Sequence, residues 1–215
     1  MEVTSQGTDT IPSDGAEATV IRDTYLGLPA IRKTRVPKGY RAEAFDLKIR
    51  TERLRMEVRL LREARRAGIH TPFVFDVDEV SCSLVMERVP GRTLTDLFTD
   101  PEVPAGDVRQ RVHDLGRTLG KLHSGGLSHG DLTGSNVVWT GSEIAFLDLS
   151  MGSRTPELED FGIDLHLVEE DFNTLLPDAD AAFEEFLRGY QEGCTKDAKR
   201  NILRAREIKG RVRYS

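Results

Sequence analysis

Apolar and polar positions divide this chain into an earlier part with strand-like patterns and a later part with helical ones. Short runs rich in apolar and β-branched residues predict strands at 18–22, 29–34, 73–77 and 83–89. From Arg41 to Ala67, apolar side chains recur mostly every three to five positions, which predicts one long helix ended by Gly68. Later periodicity predicts two short strands at 137–140 and 144–149, and helices at 94–98, 108–123, 158–176, 181–193 and 197–209.

The order of these elements predicts an α+β fold built as two lobes that share one cleft. A chain of 215 residues suits one domain or two such small lobes. The hinge between the lobes is expected near 88–92, around the turn Pro90-Gly91. We expect a flexible N-terminus at 1–14, a β-rich N-lobe with one main helix at 15–90, a mostly helical C-lobe at 91–209, and a basic tail at 210–215.

Charge is spread unevenly along the chain, although the net charge is only −6. Residues 32–66 carry 13 Lys and Arg against 5 Asp and Glu, and residues 196–213 carry 8 against 2. Such segments either hold a polyanion on one face or are solvated helix faces. The two cysteines lack metal-ligand spacing, no apolar stretch approaches the roughly 20 residues of a membrane span, and the first residues lack a leader pattern. We therefore expect a cytoplasmic protein with free thiols and no membrane contact.

The strongest chemical signal is the segment His-Gly-Asp-Leu-Thr-Gly-Ser-Asn at 129–136, with Asp148 twelve residues after its Asn. Phosphoryl transfer needs a carboxylate that orients the attacking hydroxyl or water, and oxygen ligands for the magnesium ion on the phosphates. Asp131 suits the first role, and Asn136 and Asp148 suit the second because Mg²⁺ prefers hard oxygen ligands. The spacing of Asp131 and Asn136 matches the kinase catalytic-loop pattern, so we predict that the chain binds ATP and Mg²⁺. The alternative is a turn with a helix-capping Asp.

Two further carboxylates follow in the acidic, helix-patterned segment after Pro156. The triplet Asp160-Phe161-Gly162 spells the kinase magnesium motif, whereas Asp148 is followed by Leu and Ser. Spacing favours Asp148 as the metal ligand, because it directly follows an apolar strand, and we interpret Asp160 as part of a structural helix. Asp164 either braces the catalytic loop from inside that helix or is exposed to solvent.

The earlier half supplies candidates for nucleotide binding. Gly15-Ala16-Glu17 sits where a phosphate-covering loop is expected, although it has a single glycine and also suits an ordinary turn. Lys33 suits the α- and β-phosphates, with Arg32 and Arg35 as nearby alternatives that lack a compact point charge. Glu57 either holds Lys33 or is one more solvated charge. Met86-Glu87-Arg88 would form the hinge that offers backbone amide and carbonyl groups to adenine.

Together these residues resemble the small atypical kinases of the KEOPS complex, the family that includes archaeal and yeast bud-site-selection kinase homologues and human PRPK. The resemblance covers the chain from about residue 15 to its end. The matching segments are 15–18, 33–41, Glu57, 129–136, 159–165 and 209–213. It implies a minimal protein-kinase-like fold with a reduced C-terminal lobe and weak serine/threonine protein-kinase or ATPase activity. It also implies that Lys33 and Glu57 form an ion pair, that Asp131 is catalytic, and that Asn136 and Asp148 hold the metal.

The same resemblance implies a role in making threonylcarbamoyladenosine in tRNA, with the ASKHA-fold threonylcarbamoyl-transfer subunit and other KEOPS subunits as partners. The Leu-Ser after Asp148, where the family usually has Phe-Gly, argues against a Phe-driven switch between active and inactive states. Only 16 positions separate Asp148 from Asp164, which leaves little room for a regulatory activation segment or for peptide specificity.

Two other functions and the role of the basic end stay open at this point. A small-molecule phosphotransferase of the aminoglycoside or choline kinase type has a similar loop, and a catalytically weak scaffold is the third possibility. Gly210 is expected to end the last helix and to free Arg211 and Arg213. The basic tail then contacts tRNA, docks on a partner or on this chain itself, or has no role.

Overall fold

The computed structural model describes residues 10–11 and 18–212, and it divides into two compact units. The first unit contains the described residues up to Arg59 together with Pro72–Arg88, and the second contains Leu60–Thr71 and the residues from Val89 onward. The boundary is thus crossed three times along the chain, whereas the sequence pattern suggested one crossing near residue 90. The expected loop at Gly15-Ala16-Glu17 lies outside the described residues.

The first unit is built on an antiparallel five-stranded sheet. In spatial order its strands are β1 (Thr10–Ile11), β2 (Ala18–Tyr25), β3 (Leu28–Arg35), β5 (Ser83–Glu87) and β4 (Val74–Asp78). Strand β1 lies within the segment that we expected to be flexible, and it pairs with β2. Leu26 and Gly27 both have positive φ, 49° and 84°, which is the turn geometry that joins two strands with the right twist. The register of the β2–β3 hairpin runs without interruption from Ala18 opposite Arg35 to Tyr25 opposite Leu28.

Helix α1 (Glu43–Arg66) follows the sheet's third strand and is the long helix that the periodicity predicts. It has acidic residues in its first turn and basic residues in its last, which suits the helix dipole. The first unit contains α1 up to Arg59, and the second unit contains its remaining residues. Gly68, with φ at +81°, allows the chain to leave the helix.

The second unit is mostly helical and holds one small antiparallel sheet of β6 (Arg92–Thr93), β7 (Val137–Trp139) and β8 (Ile144–Phe146). A single turn of 3₁₀ helix at Gly134–Asn136 leads into β7. Its α-helices are α2 (Leu94–Phe98), α3 (Ala105–Ser124), α4 (Leu158–Leu175), α5 (Ala179–Gly193) and α6 (Ala198–Val212). In the part of the chain that the structure describes, no helix combines the length and the apolar character that a membrane span requires.

A seam of glycines brings the backbones of α3 and α5 into direct contact. A Cβ atom added to any of Gly116, Gly120, Gly189 or Gly193 would lie under 3.0 Å from backbone atoms of the facing helix. Such a separation cannot be relieved by turning a side chain, so only glycine fits at these four positions. The seam fixes the two helices that carry His123 and the buried Tyr190.

The last helix is longer than the sequence predicts. We expected Gly210 to end it, but α6 continues through Gly210 to Val212. Ion pairs with α4 explain the difference: Lys209 Nζ lies 2.6 Å from Glu169 Oε1, and Arg211 Nη1 lies 3.6 Å from Glu159 Oε1. The last described turn is therefore anchored by tertiary contacts, which commonly override the preference of a single glycine.

Candidate active site

The predicted catalytic loop leaves α3 and returns to the small sheet through the 3₁₀ turn. Gly130 has φ at +81°, and a Cβ atom there would lie under 3.0 Å from the backbone of Met151. Both the conformation and the close approach therefore require glycine at this position. Its place immediately before Asp131 fixes the direction in which the loop presents that carboxylate.

Asp131 and Asn136 meet within the loop. Asn136 Nδ2 donates to the backbone carbonyl of Asp131 at 2.9 Å and to its carboxylate Oδ2 at 3.1 Å. These bonds orient the amide, so its Oδ1 is the atom left to ligate a metal. Asp131 is exposed, as an acceptor of a proton from a bound hydroxyl or water must be.

Asp148 lies just beyond β8, next to the same loop. The backbone N–H of Leu147 donates to the carbonyl of Asn136 at 2.9 Å, and the N–H of Ser150 donates to Asp148 Oδ1 at 2.9 Å. The backbone of Leu147 thus ties the segment that carries Asp148 to Asn136, the other candidate metal ligand. No group of three or more His, Cys, Asp or Glu side chains in the described ranges forms a metal site by itself. An amide oxygen and one carboxylate fit Mg²⁺ that takes its remaining ligands from phosphates and water.

Lys33 and Glu57 form a buried ion pair in the first unit. Lys33 Nζ lies 2.7 Å from Glu57 Oε1, and the side chains are 8 % and 1 % exposed. Arg35 Nη2 lies 2.5 Å from the other oxygen, Glu57 Oε2, so Glu57 holds two cations. Arg32 points to the opposite face of β3, where it pairs with Asp23 at 2.8 Å. Glu57 is therefore not a solvated charge, and Lys33 and Arg35 share one face of the strand.

The hinge prediction needs a correction. The backbone N–H of Glu87 donates to the Phe73 carbonyl at 2.8 Å, and that of Arg88 donates to the Pro29 carbonyl at 3.2 Å. The sheet therefore already uses these two amide groups, and neither offers a donor to adenine. The next N–H along the chain, that of Val89, has no partner among the described residues.

Asp164 braces the catalytic loop from α4, and it is completely buried. Its carboxylate accepts the backbone N–H groups of His129 at 2.7 Å and Gly130 at 2.6 Å, and the ring Nε2 of His123 lies 3.0 Å from it. Burial alone would raise the pKa of Asp164, but hydrogen bonds from His123 and from the backbone N–H of His129 oppose that effect, and the pKa is held below its ordinary value. Of the two alternatives for Asp164, the structure shows the bracing one.

His129 is completely buried in this arrangement. Burial lowers its pKa, and the charges of Asp164, Asp148 and Asp131 oppose that shift only in part. The backbone N–H of Asp131 donates to His129 Nδ1 at 3.4 Å, while Nε2 is buried without a partner among the described residues. His129 is therefore enclosed away from any substrate, which agrees with a supporting role rather than acid–base work.

Asp160 caps a helix, as its surroundings in the sequence indicate. Its carboxylate accepts the N–H of Glu157 at 2.7 Å, and Glu157 in turn caps the first turn of α4. Phe161 packs against the ring of His123, with centroids 4.6 Å apart. The Asp-Phe-Gly triplet thus has a structural role at the start of α4.

Two supports of the loop could not be seen in the sequence. Asp171 of α4 accepts the backbone N–H of Gly134 at 2.8 Å, and partial burial raises the pKa of this carboxyl. Tyr190 of α5 places its hydroxyl 2.8 Å from His123 Nδ1 and 2.7 Å from Asn201 Nδ2. The sequence around Asp171 and around Tyr190 has no local pattern that predicts these contacts, because the partners lie on distant elements.

The fold and these contacts define a protein-kinase-like protein with a minimal second unit. Residues 31–190 match the family model of the lipopolysaccharide kinase (Kdo/WaaP) family. The "KEOPS complex subunit Bud32" of Pyrococcus abyssi is 36 % identical over 93 % of this chain and 94 % of that protein. The chain therefore belongs to the kinase family of the matching model and to the family of the KEOPS subunit Bud32.

Longer relatives and a solved structure agree with this assignment. A "probable bifunctional tRNA threonylcarbamoyladenosine biosynthesis protein" of Methanothermobacter thermautotrophicus is 38 % identical over 95 % of this chain, and one of Methanobrevibacter smithii is 32 % identical over 96 %. The chain spans only about a third of the length of these two proteins, 36 % and 37 %. The Rio2 kinase of Chaetomium thermophilum, solved with ADP and Mg²⁺, superposes with a TM-score of 0.63 over 96 % of this chain and 71 % of that one, at 14 % identity. The predicted kinase-like α+β fold is confirmed.

Proposed function

We propose that this chain is an ATP- and Mg²⁺-dependent serine/threonine kinase-like phosphotransferase or ATPase that acts as the kinase subunit of a KEOPS complex. Its contribution would be to the threonylcarbamoyladenosine modification of tRNA, because the names of two longer relatives describe them as tRNA threonylcarbamoyladenosine biosynthesis proteins. The proposed partners are the threonylcarbamoyl-transfer subunit and other KEOPS subunits, and a cytoplasmic location is part of the proposal.

The observation that carries the proposal is the contact between Asp131 and Asn136 in a loop that the buried Asp164 supports. Asp131 orients the acceptor hydroxyl or water and receives its proton as the acceptor oxygen bonds to the γ-phosphorus and ADP leaves. Asn136 and Asp148 would hold Mg²⁺, which when bound neutralises charge on the phosphates.

The remaining roles concern nucleotide binding. Lys33, held by Glu57 at 2.7 Å, contacts the α- and β-phosphates in this proposal. The N–H of Val89 replaces those of Glu87 and Arg88 as the donor to adenine. Gly15-Ala16-Glu17 remains proposed as the backbone cover of the phosphates.

The test is ADP release by the purified chain, alone and with the transfer subunit and tRNA. We expect Mg²⁺-dependent turnover that falls by at least about a hundredfold in Asp131→Asn, as for the loss of a positioned base. Thr133→Ala is the matched control in the same loop, because within the described part of the chain its hydroxyl bonds only to Ser135. Absence of turnover in every combination, from protein that is folded and binds ATP, would refute the proposal.

The match to the lipopolysaccharide kinase family supports a second candidate, a small-molecule phosphotransferase. The two functions differ in the acceptor that stimulates ADP release. A panel of sugars, aminoglycosides and choline should have no effect if the chain serves a tRNA-modifying complex. Stoichiometric transfer of phosphate to one of these molecules would favour the second candidate.

A further inference from the structure

A row of buried polar side chains connects the last helix to the catalytic loop. Asn201 Nδ2 of α6 donates to the hydroxyl of Tyr190 at 2.7 Å, and that hydroxyl lies 2.8 Å from His123 Nδ1. His123 Nε2 lies 3.0 Å from Asp164, which accepts the loop N–H groups. None of Asn201, Tyr190, His123 and Asp164 is more than 5 % exposed.

With His123 in its neutral form, the chemistry of these groups gives every hydrogen bond in the row a direction. An amide nitrogen can only donate, so the Tyr190 hydroxyl accepts from Asn201 and is free to give its own proton to His123 Nδ1. A neutral His123 that accepts at Nδ1 carries its proton on Nε2, and Nε2 then donates to Asp164. Burial raises the pKa of Tyr190 far above its ordinary value, which keeps the hydroxyl a donor.

We propose that Tyr190 and Asn201 are positioning residues for phosphoryl transfer, because they select the tautomer of His123. In the other tautomer, His123 would turn a lone pair toward Asp164, and the carboxylate would lose a donor and shift away from the loop. The inference rests on the proposed function, since it assigns these residues to that site.

Packing alone does not account for these side chains. Phenylalanine would fill the space of Tyr190, and an apolar residue would suit the buried face of α6. A buried hydroxyl or amide lowers stability unless its hydrogen bonds are made, so their presence points to a polar role. The two ends of the row are also informative: one is a surface helix, and the other is the segment that carries Asp131.

The first measurement is steady-state turnover of Tyr190→Phe. We expect kcat to fall by about five- to tenfold, the worth of one neutral hydrogen bond, while the KM for ATP stays within about twofold. Asn201→Ala should change kcat in the same direction by less, because Tyr190 can still donate. Val112→Ala is the control: this buried apolar side chain on α3 lies three turns before His123, and its loss lowers stability but removes none of the row's hydrogen bonds.

The second measurement does not depend on turnover. Hydrogen exchange of the His129 and Gly130 amides, both bonded to Asp164, should quicken in Tyr190→Phe and not in Val112→Ala. A wild-type chain without turnover would refute the proposed function and leave this result to decide the inference. The inference would be overturned if amide exchange and kcat were unchanged in Tyr190→Phe. It would also be overturned if Val112→Ala lost as much kcat and amide protection as Tyr190→Phe. If Tyr190→Phe does not fold, Asn201→Ala gives the same two measurements.

Discussion

Replacement of Asp164 by asparagine tests the support of the catalytic loop most directly. The carboxylate is completely buried and bonds to the N–H of His129, the N–H of Gly130 and the ring of His123. Asparagine has the same shape but only one acceptor oxygen. Its NH₂ group must therefore face either the N–H of Gly130, which bonds to Oδ1, or the N–H of His129 and the ring of His123, which share Oδ2. Whichever way it turns, at least one buried donor loses its partner.

The magnitude follows from the burial and from the number of donors. Breaking a buried charge-assisted contact by changing one partner costs about 3–5 kcal/mol, out of a total stability of about 5–15 kcal/mol for a domain. Displacement of the loop by about 1 Å would lower kcat by about a hundredfold. Asp164→Asn should therefore be strongly destabilised, and almost inactive where it still folds.

The direction of the pKa shift of Asp164 predicts how its contribution to stability changes with pH. The pKa of Asp164 is below its ordinary value in the folded state, so its contribution is complete above the unfolded pKa of about 3.9 and is lost as pH falls through the folded pKa. Urea unfolding between pH 7 and pH 2 should show the variant deficit shrinking below about pH 3.9. A variant as stable as the wild type at pH 7, or a deficit that grows in acid, would refute the reasoning.

Three further changes have defined outcomes. Asp148→Asn removes ligand charge worth several kcal/mol and should lower ADP release by at least about a hundredfold. Asp160→Asn keeps an acceptor for the Glu157 N–H at the start of α4 and should stay within about twofold of the wild type. The reverse order would show that Asp160 is the ligand. Lys33→Ala should weaken ATP binding in calorimetry far more than Arg32→Ala, because Arg32 lies on the opposite face of β3, and equal losses would contradict the strand register. Gly120→Ala would put a Cβ atom 2.5 Å from the Tyr190 carbonyl oxygen. This overpacking should cost about 1–3 kcal/mol of stability and lower Tm by several degrees. An unchanged Tm would mean that α3 and α5 can move apart to accommodate a methyl group.

Local patterns in the sequence were sufficient to predict which residues meet in the candidate catalytic loop. The spacing of Asp131 and Asn136 reflects one compact turn, and the strand before Asp148 returns to it, so the contact between the two segments follows from neighbouring elements. Alternation along β3 likewise separates Lys33 from Arg32. These features depend on residues close in the chain or on the period of one element.

The features that escaped prediction depend on contacts between distant elements. Tyr190 and Asn201 support a loop some sixty to seventy residues earlier, and no period marks them. The helix around Gly210 continues because Lys209 and Arg211 pair with α4, which a local helix-stop rule cannot include. The hinge amides of Glu87 and Arg88 were misjudged because strand pairing, not sequence, decides which N–H groups remain available.

The seam of glycines between α3 and α5 restricts how the second unit can move. Helices that touch through side chains can slide past each other by small rotamer changes, which is the usual basis of shear motion. Where Gly116 and Gly120 meet Gly189 and Gly193, there are no side chains to rearrange, and backbone atoms would collide instead. We expect α3 and α5 to move as one body, so that any signal reaching the catalytic loop through helix motion arrives by way of α4 or α6.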